Sequence, residues 1–186
     1  MTPLDALRAA IEAEIAALPR RYPYVIVFAG DTEARAVAGV SDSEGWWETL
    51  LGGASLQPSA LFLVARKSGK PVALVQLELG YISDVEPQGR LCAWAVDRSL
   101  SLTERRRVLL ALMLPVVRAL VSMGATTLVT NNVPLADARN VDIFGRLASV
   151  AGSRVVSQRI NRVDANDAQT LVWHLPVTLP ALEVAV

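Results

Sequence analysis

Leu4, Leu7, Ile11, Ile15 and Leu18 recur at three- and four-residue spacing, with Thr2 placed to cap, Pro3 in the first turn and Asp5 near the positive end of the helix dipole. The pattern predicts an amphipathic helix over residues 2–18, stopped by Pro19. Residues 24–28, Tyr-Val-Ile-Val-Phe, form a β-branched and aromatic run bounded by Gly30, which predicts a first strand. Over residues 31–57 the periodicity fits two short helices, 32–40 and 43–51, separated by a turn region at 39–42 and ended by Gly52 and Gly53.

Residues 61–66 and 71–81 are apolar runs joined by Lys67, Ser68, Gly69 and Lys70, which predicts a β-hairpin. After the polar stretch 83–89, residues 90–96 (Arg-Leu-Cys-Ala-Trp-Ala-Val) read as a further strand with Asp97 and Arg98 at its end. A helix is expected from Thr103 or Glu104 to about Met123, with Gly124 as its stop. From Val108 to Val121 it is apolar almost all round, so it belongs against a sheet. Arg118, Pro115 and a run shorter than the roughly 20 residues a bilayer needs argue against a membrane span. Residues 126–130 read as a strand and 136–151 as a helix closed by Gly152. Residues 154–162 and 170–175 read as a last strand pair around the polar loop 164–169, and 176–186 as an extended appendage.

The 186 residues are 52% hydrophobic, enough for one well-filled core, so a single domain over 1–186 is expected, with residues 1–20 as an added N-terminal helix. Eighteen basic and 18 acidic residues cancel, and no overall field favours nucleic acid or an anionic membrane. Cys92, the sole cysteine, lies in an apolar strand and is expected to be a buried, inert thiol. The N-terminal pattern, with Asp5, Arg8, Glu12 and Glu14, differs from a secretory signal, so a cytoplasmic location is expected. His174 alternates with Trp173 and Leu175 without a metal-spaced Cys, Asp or Glu cluster, and reads as a hydrogen-bonded structural residue. Adjacent Trp46 and Trp47 must diverge, one packing and the other covering a cleft or meeting a partner.

The order strand, two short helices, hairpin, strand, helix, strand, helix and terminal strands, spanning Tyr24 to Leu175, resembles that of the acetyl-CoA-dependent N-acyltransferase (GNAT) superfamily. The resemblance implies an α/β fold with a mixed, mostly antiparallel central sheet and helices on both faces, here with an extra N-terminal helix. It also implies a gap between strands 91–96 and 126–130 that takes a pantetheine arm, and a segment 97–107 around the pyrophosphate. The cofactor residues implied are Ala95 and Val96 on the strand, Thr103, Arg105, Arg106 and Arg107 at the helix start, and Asn131 after the next strand. Here the sequence departs from the family pattern, an Arg or Gln followed by alternating glycines. Residues 102–107 contain no glycine, and Glu104 puts a like charge where phosphate would sit. Consecutive helical residues point about 100° apart, so the three arginines cannot converge on one phosphate, and a solvated basic first turn is the competing reading. Glu78, which shares a strand face with Gln76, and Asp97 are the candidate general bases. Phe144 falls where many relatives carry a proton-donating Tyr.

Two function classes follow. One is an N-acyltransferase using acetyl-CoA or another acyl-CoA on a small-molecule amine or a protein amino group. The other is a non-catalytic protein that keeps the framework as a structural or interaction module of a larger assembly, for example a virus particle. The glycine-free loop and the added helix favour the second. The apolar tail 176–186 is expected to dock on the same chain or on a neighbouring subunit, giving homo-oligomer or assembly contacts through the termini.

Overall fold

The structure, a computed structural model, describes residues 2–19, 23–39, 60–81, 86–134, 154–160 and 168–175. The elements are α1 (Pro3–Ala16), β1 (Val25–Phe28), α2 (Asp31–Ala38), β2 (Leu61–Lys67), β3 (Lys70–Tyr81), β4 (Pro87–Val96), α3 (Leu102–Ser122), β5 (Thr127–Pro134), β6 (Arg154–Ile160) and β7 (Ala168–His174). The expectations for the second short helix with Trp46 and Trp47, the helix with Phe144 and the tail 176–186 lie outside the described residues.

α1 forms where the pattern places it. The Thr2 hydroxyl accepts from the Asp5 amide at 3.1 Å, and the Asp5 carboxylate accepts from the Thr2 amide at 2.8 Å, so two amides of the first turn are satisfied reciprocally. Leu7 and Ile11 are buried beneath it. The β2–β3 hairpin turns in two residues, Ser68 at φ 52° and Gly69 at φ 81°, the left-handed pair that matches strand twist and that glycine adopts without a Cβ penalty.

The strands form one sheet in the order β1-β2-β3-β4-β5-β7-β6. Among the described strands only β4–β5 is parallel; the other pairings are antiparallel. This is the mixed, mostly antiparallel sheet that the element order implied. Period-two alternation sends Leu61, Leu63, Ala65, Ala73, Val75, Leu77, Leu91 and Leu128 to one face, under α1 and α3. It sends Phe62, Val64, Leu74, Ala93 and Ala95 to the other, under Ala34 and Val37 of α2. Glu33 on α2 fixes that second layer by a bidentate pair with Arg66 on β2, at 2.5 and 2.9 Å.

α3 is the central element of the larger core. Val108, Leu109, Ala111, Leu112, Met113, Pro115, Val116, Val117, Ala119 and Leu120 are all buried, as its nearly uniform apolar sequence requires. It ends at Gly124, whose amide donates to the Val121 carbonyl at 3.0 Å. Arg118, a charge in an otherwise apolar helix, is answered by Glu14 of α1 at 2.5 Å, with both side chains mostly buried, so the added N-terminal helix neutralises the central one. Among the described residues no helix is long and apolar enough to cross a membrane.

Leu120 seats α3 on the sheet through Gly89 of β4. A Cβ at position 89 would collide with Leu120 Cδ1 and lie 2.9 Å from Leu128 Cδ1, both buried side chains. Removing Gly elsewhere in a strand relieves backbone entropy, but here the steric cost is the larger effect. Gly89→Ala is expected to lower unfolding free energy by about 1–3 kcal/mol, measured by urea denaturation; equal or greater stability would show that Leu120 does not pack as described.

Candidate active site

β4 and β5 separate partway along their length. They pair only at Gln88↔Thr127, Gly89↔Leu128, Arg90↔Val129 and Leu91↔Thr130. The closed end is held further by side chains: Gln88 Nε2 donates to Thr127 Oγ1 at 3.0 Å, and Thr126 donates to Glu86. Beyond Leu91 a β-bulge leaves Cys92 without a partner on β3, because Leu77 faces Leu91 while Gln76 faces Ala93. β5 shifts register against β7 between Thr130 and Val133. Residues 93–96 therefore pair with β3 on one edge, while no described strand pairs with the other edge of residues 92–96. Backbone groups on such an edge are an open hydrogen-bonding template.

On the α2 face, the register lays out rows of side chains across β2, β3 and β4. Val64, Leu74 and Ala95 form one row, Phe62, Gln76 and Ala93 the next, and Glu78 and Arg90 the third. Gln76 is 2% exposed, and its Oε1 has no hydrogen-bond partner among the described residues. An orphaned buried acceptor costs about 1–3 kcal/mol. Glu78, half-buried, lies one row toward the closed end, against Cys92. Burial, and then the negative charge and hydrogen bonding of Glu78, push the Cys92 thiol up to about 12. Cys92 is thus the expected inert thiol, although half-buried rather than fully so. The Arg90 guanidinium lies over Gly80, 2.9 Å from where a Cβ would be. On the opposite face the Thr130 hydroxyl, fully buried at the point of divergence, also lacks a partner.

At the wide end, β4 leads through residues 97–101 into α3. The Asp97 amide donates to the Val72 carbonyl at 2.9 Å, and its Oδ1 accepts from the Ser99 amide at 2.8 Å, so its carboxylate organises the loop. Ser101 caps α3: its hydroxyl accepts from the Glu104 amide at 3.3 Å, while Glu104 accepts from the Ser101 amide at 3.3 Å. Glu104 Oε1 also pairs with Lys67 Nζ at 2.5 Å, tying the hairpin to the helix start.

The residues expected to form the site separate into two groups. Ala95 is buried on the α2 face of the unpaired stretch, and Val96 packs on the opposite face against the larger core. Glu78 and Asp97 are not neighbours: Asp97 joins β3 at Val72, six residues from Glu78, on the order of 20 Å at strand rise. Arg105 faces back into its own loop, donating to the Leu100 carbonyl at 3.0 Å and to that of Arg98. Arg106 is half-buried, and Arg107 and Thr103 are exposed. Asn131 lies within β5, which runs on to Pro134 rather than ending at 130. His174 closes β7 and is exposed. Among the described residues no group of His, Cys, Asp or Glu is arranged to hold a metal. Gln76 and Lys67 were not singled out as site residues. Gln76 alone left a trace, as the polar neighbour of Glu78 at strand period.

Glu104 is held below its ordinary value near 4.5, first by its hydrogen bond to Lys67, and Lys67 above its ordinary 10.5 by the same bond. The pair therefore contributes fully between those two values, is lost below them as Glu104 protonates, and is lost above them as Lys67 deprotonates. The protection factors of amides at the start of α3, relative to their intrinsic exchange rates, are expected to fall on acidification as Glu104 protonates in the wild type but not in Glu104→Gln; indistinguishable profiles would dismiss the lock.

By sequence, neither a family model nor a curated protein matches the chain. By structure, it is similar to nourseothricin acetyltransferase, with a TM-score of 0.58 and 14% identity over 83% of this chain and 99% of that one. It is also similar to the ribosomal-protein-S18-alanine N-acetyltransferase of Escherichia coli (TM-score 0.52, 14% identity, 87% and 99% covered). A third is the diaminobutyrate acetyltransferase of Paenibacillus lautus, in complex with L-2,4-diaminobutyric acid and coenzyme A (TM-score 0.52, 15% identity, 81% and 95% covered). At these identities the likeness speaks to architecture alone, and with the diverging β4 and β5 it establishes that this chain has the fold of the GNAT N-acetyltransferases.

Proposed function

We propose that the protein transfers an acyl group from an acyl-coenzyme A thioester to an amine, in the opening between β4 and β5. The observation that carries the reading is the open edge of residues 92–96, set beside Glu78 by the bulge at Cys92. Unpaired strand amides suit an extended pantetheine arm, which brings alternating amide donors and carbonyl acceptors. Bound there, an acyl-CoA would supply the thioester carbonyl. Residues 92–96 would hold the arm by main-chain hydrogen bonds, and an edge amide would polarise the carbonyl oxygen. Glu78 would take the proton that the amine releases as its C–N bond forms and the C–S bond breaks, and coenzyme A would leave as its thiolate, to be protonated by solvent. Asp97, engaged with Ser99 and remote from Glu78, serves the loop instead.

The helix end supports phosphate binding less well. Ser101 and Glu104 already satisfy part of the α3 terminus, a carboxylate occupies the positive end of the dipole, and Arg105 is spent on its own loop. These contacts favour the second reading, a non-catalytic module on the same framework. Isothermal titration with acetyl-CoA separates the two: saturable binding supports transfer, and no heat at millimolar ligand supports the module. Glu104→Gln keeps the capping box and removes the charge, so affinity is expected to rise about 3–10-fold at low salt, with the gain shrinking as salt increases.

In a thiol-release assay over a panel of amines, Glu78→Gln is expected to reduce turnover about 10²–10⁴-fold with acetyl-CoA affinity unchanged, and Asp97→Asn to leave turnover within about threefold. The reverse ranking would move the proton-accepting role to Asp97.

A further inference from the structure

We infer that Arg90 is a carboxylate-binding residue and that, with Glu78, it holds an amino acid by both ends, the free carboxylate on Arg90 and the amino group facing Glu78. The inference rests on the acyl-transfer reading for what then happens to the amino group, although the binding is measurable without an acyl donor. Glu78 and Arg90 are register partners on the α2 face of β3 and β4. Opposite charges directly across an antiparallel pair attract, and such pairs ordinarily meet. Here, among the described residues, no ion pair joins them. Glu78 is engaged with the Cys92 thiol, and the Arg90 guanidinium lies over Gly80, its Nε 2.9 Å and its Cζ 3.2 Å from where a Cβ would be.

Gly80 makes that placement possible. Its backbone is not in the left-handed region, so its conformation does not call for glycine, and glycine weakens a strand interior. The missing Cβ gives the guanidinium a flat bed of β3 backbone, the close approach that an interior strand glycine often marks. The two opposite charges are thus held apart on separate anchors instead of neutralising each other.

Arg90 is exposed and Glu78 half-buried, so a ligand meets both from solvent without passing through the core. Glu78 and Gly80 are two residues apart on one strand face, roughly 7 Å at strand rise. A guanidinium fork matches a carboxylate through two parallel hydrogen bonds. The Glu78 carboxylate accepts only, so the other end of the ligand must donate. An amino acid carries both groups at a separation that fits between the two anchors. On the other side of Arg90 its register partner is Val129 of β5, and that of Val129 is Val172 of β7; both are half-buried and apolar and suit an aliphatic side chain.

The experiment titrates the full chain by ligand-observed NMR, without any acyl donor, using L-leucine, L-leucinamide, which lacks the carboxylate, and 4-methylpentanoate, which lacks the amino group. Wild type is expected to bind leucine about tenfold more tightly than either analogue. Arg90→Met is expected to bind leucine and leucinamide alike. Gly80→Ala keeps the arginine but fills its bed, and is expected to weaken leucine about three- to tenfold without weakening leucinamide, at equal or higher Tm. Equal binding of leucine and leucinamide by wild type, or an intact preference in folded Arg90→Met, overturns the assignment of Arg90. An isothermal titration with acetyl-CoA on the same proteins separates the two failures. Acetyl-CoA binding without preference for the carboxylate sinks this inference alone, and that preference without acetyl-CoA binding sinks only the transfer reading.

Discussion

Parallel pairing between β4 and β5 stops after four register positions, and the site depends on that early stop. A full ladder would satisfy both edges of β4 and leave no opening. The Gln88–Thr127 hydrogen bond and the seating of Leu120 over Gly89 secure the closed end, and the bulge at Cys92 together with the register shift beyond Thr130 releases the other. Both distortions lie where a regular sheet would have continued, which is where bulges redirect side chains in sheets that serve a function.

The two ends of the opening obey different physics. Beside the outer edge of β4, two buried side-chain oxygens, on Gln76 and Thr130, have no hydrogen-bond partner among the described residues. At α3 the opposite holds. Ser101, Glu104 and Lys67 close a local network around the helix terminus, and Arg105 is spent on the carbonyls of its own loop. A helix start already satisfied by its own chain has fewer amides to offer an anion, and Glu104 subtracts from the dipole that would attract one. The proposed acyl transfer therefore rests on the strand end rather than on the helix end.

Much of the architecture was legible because local periodicity and punctuation agree. Lys67-Ser68-Gly69-Lys70 between two apolar runs marks a two-residue hairpin, and the run from Val108 to Val121 ending at Gly124 marks a buried helix. Thr2 and Asp5 announce the start of α1, and Glu78 with Gln76 showed as a polar interruption on an apolar strand. The beginning of β4 was read late because Gly89 looks like a loop residue. It lies in the strand to admit Leu120, a packing reason that no local pattern contains.

The sequence by itself determined the described elements, their order and the apolar faces they bury, because these follow from residue spacing and from turn and cap chemistry within a few positions. Tertiary structure alone decided that Cys92 is bulged, that β5 leaves β4 beyond Thr130, that Arg105 turns inward and that Lys67 meets Glu104. Each of these results from competition for hydrogen bonds and space among groups distant along the chain. Gln76 shows the division best: its type and strand face are written in the sequence, but that its amide oxygen is buried with no partner among the described residues, one strand from the outer edge of β4, appears only when β2, β3 and β4 are in register.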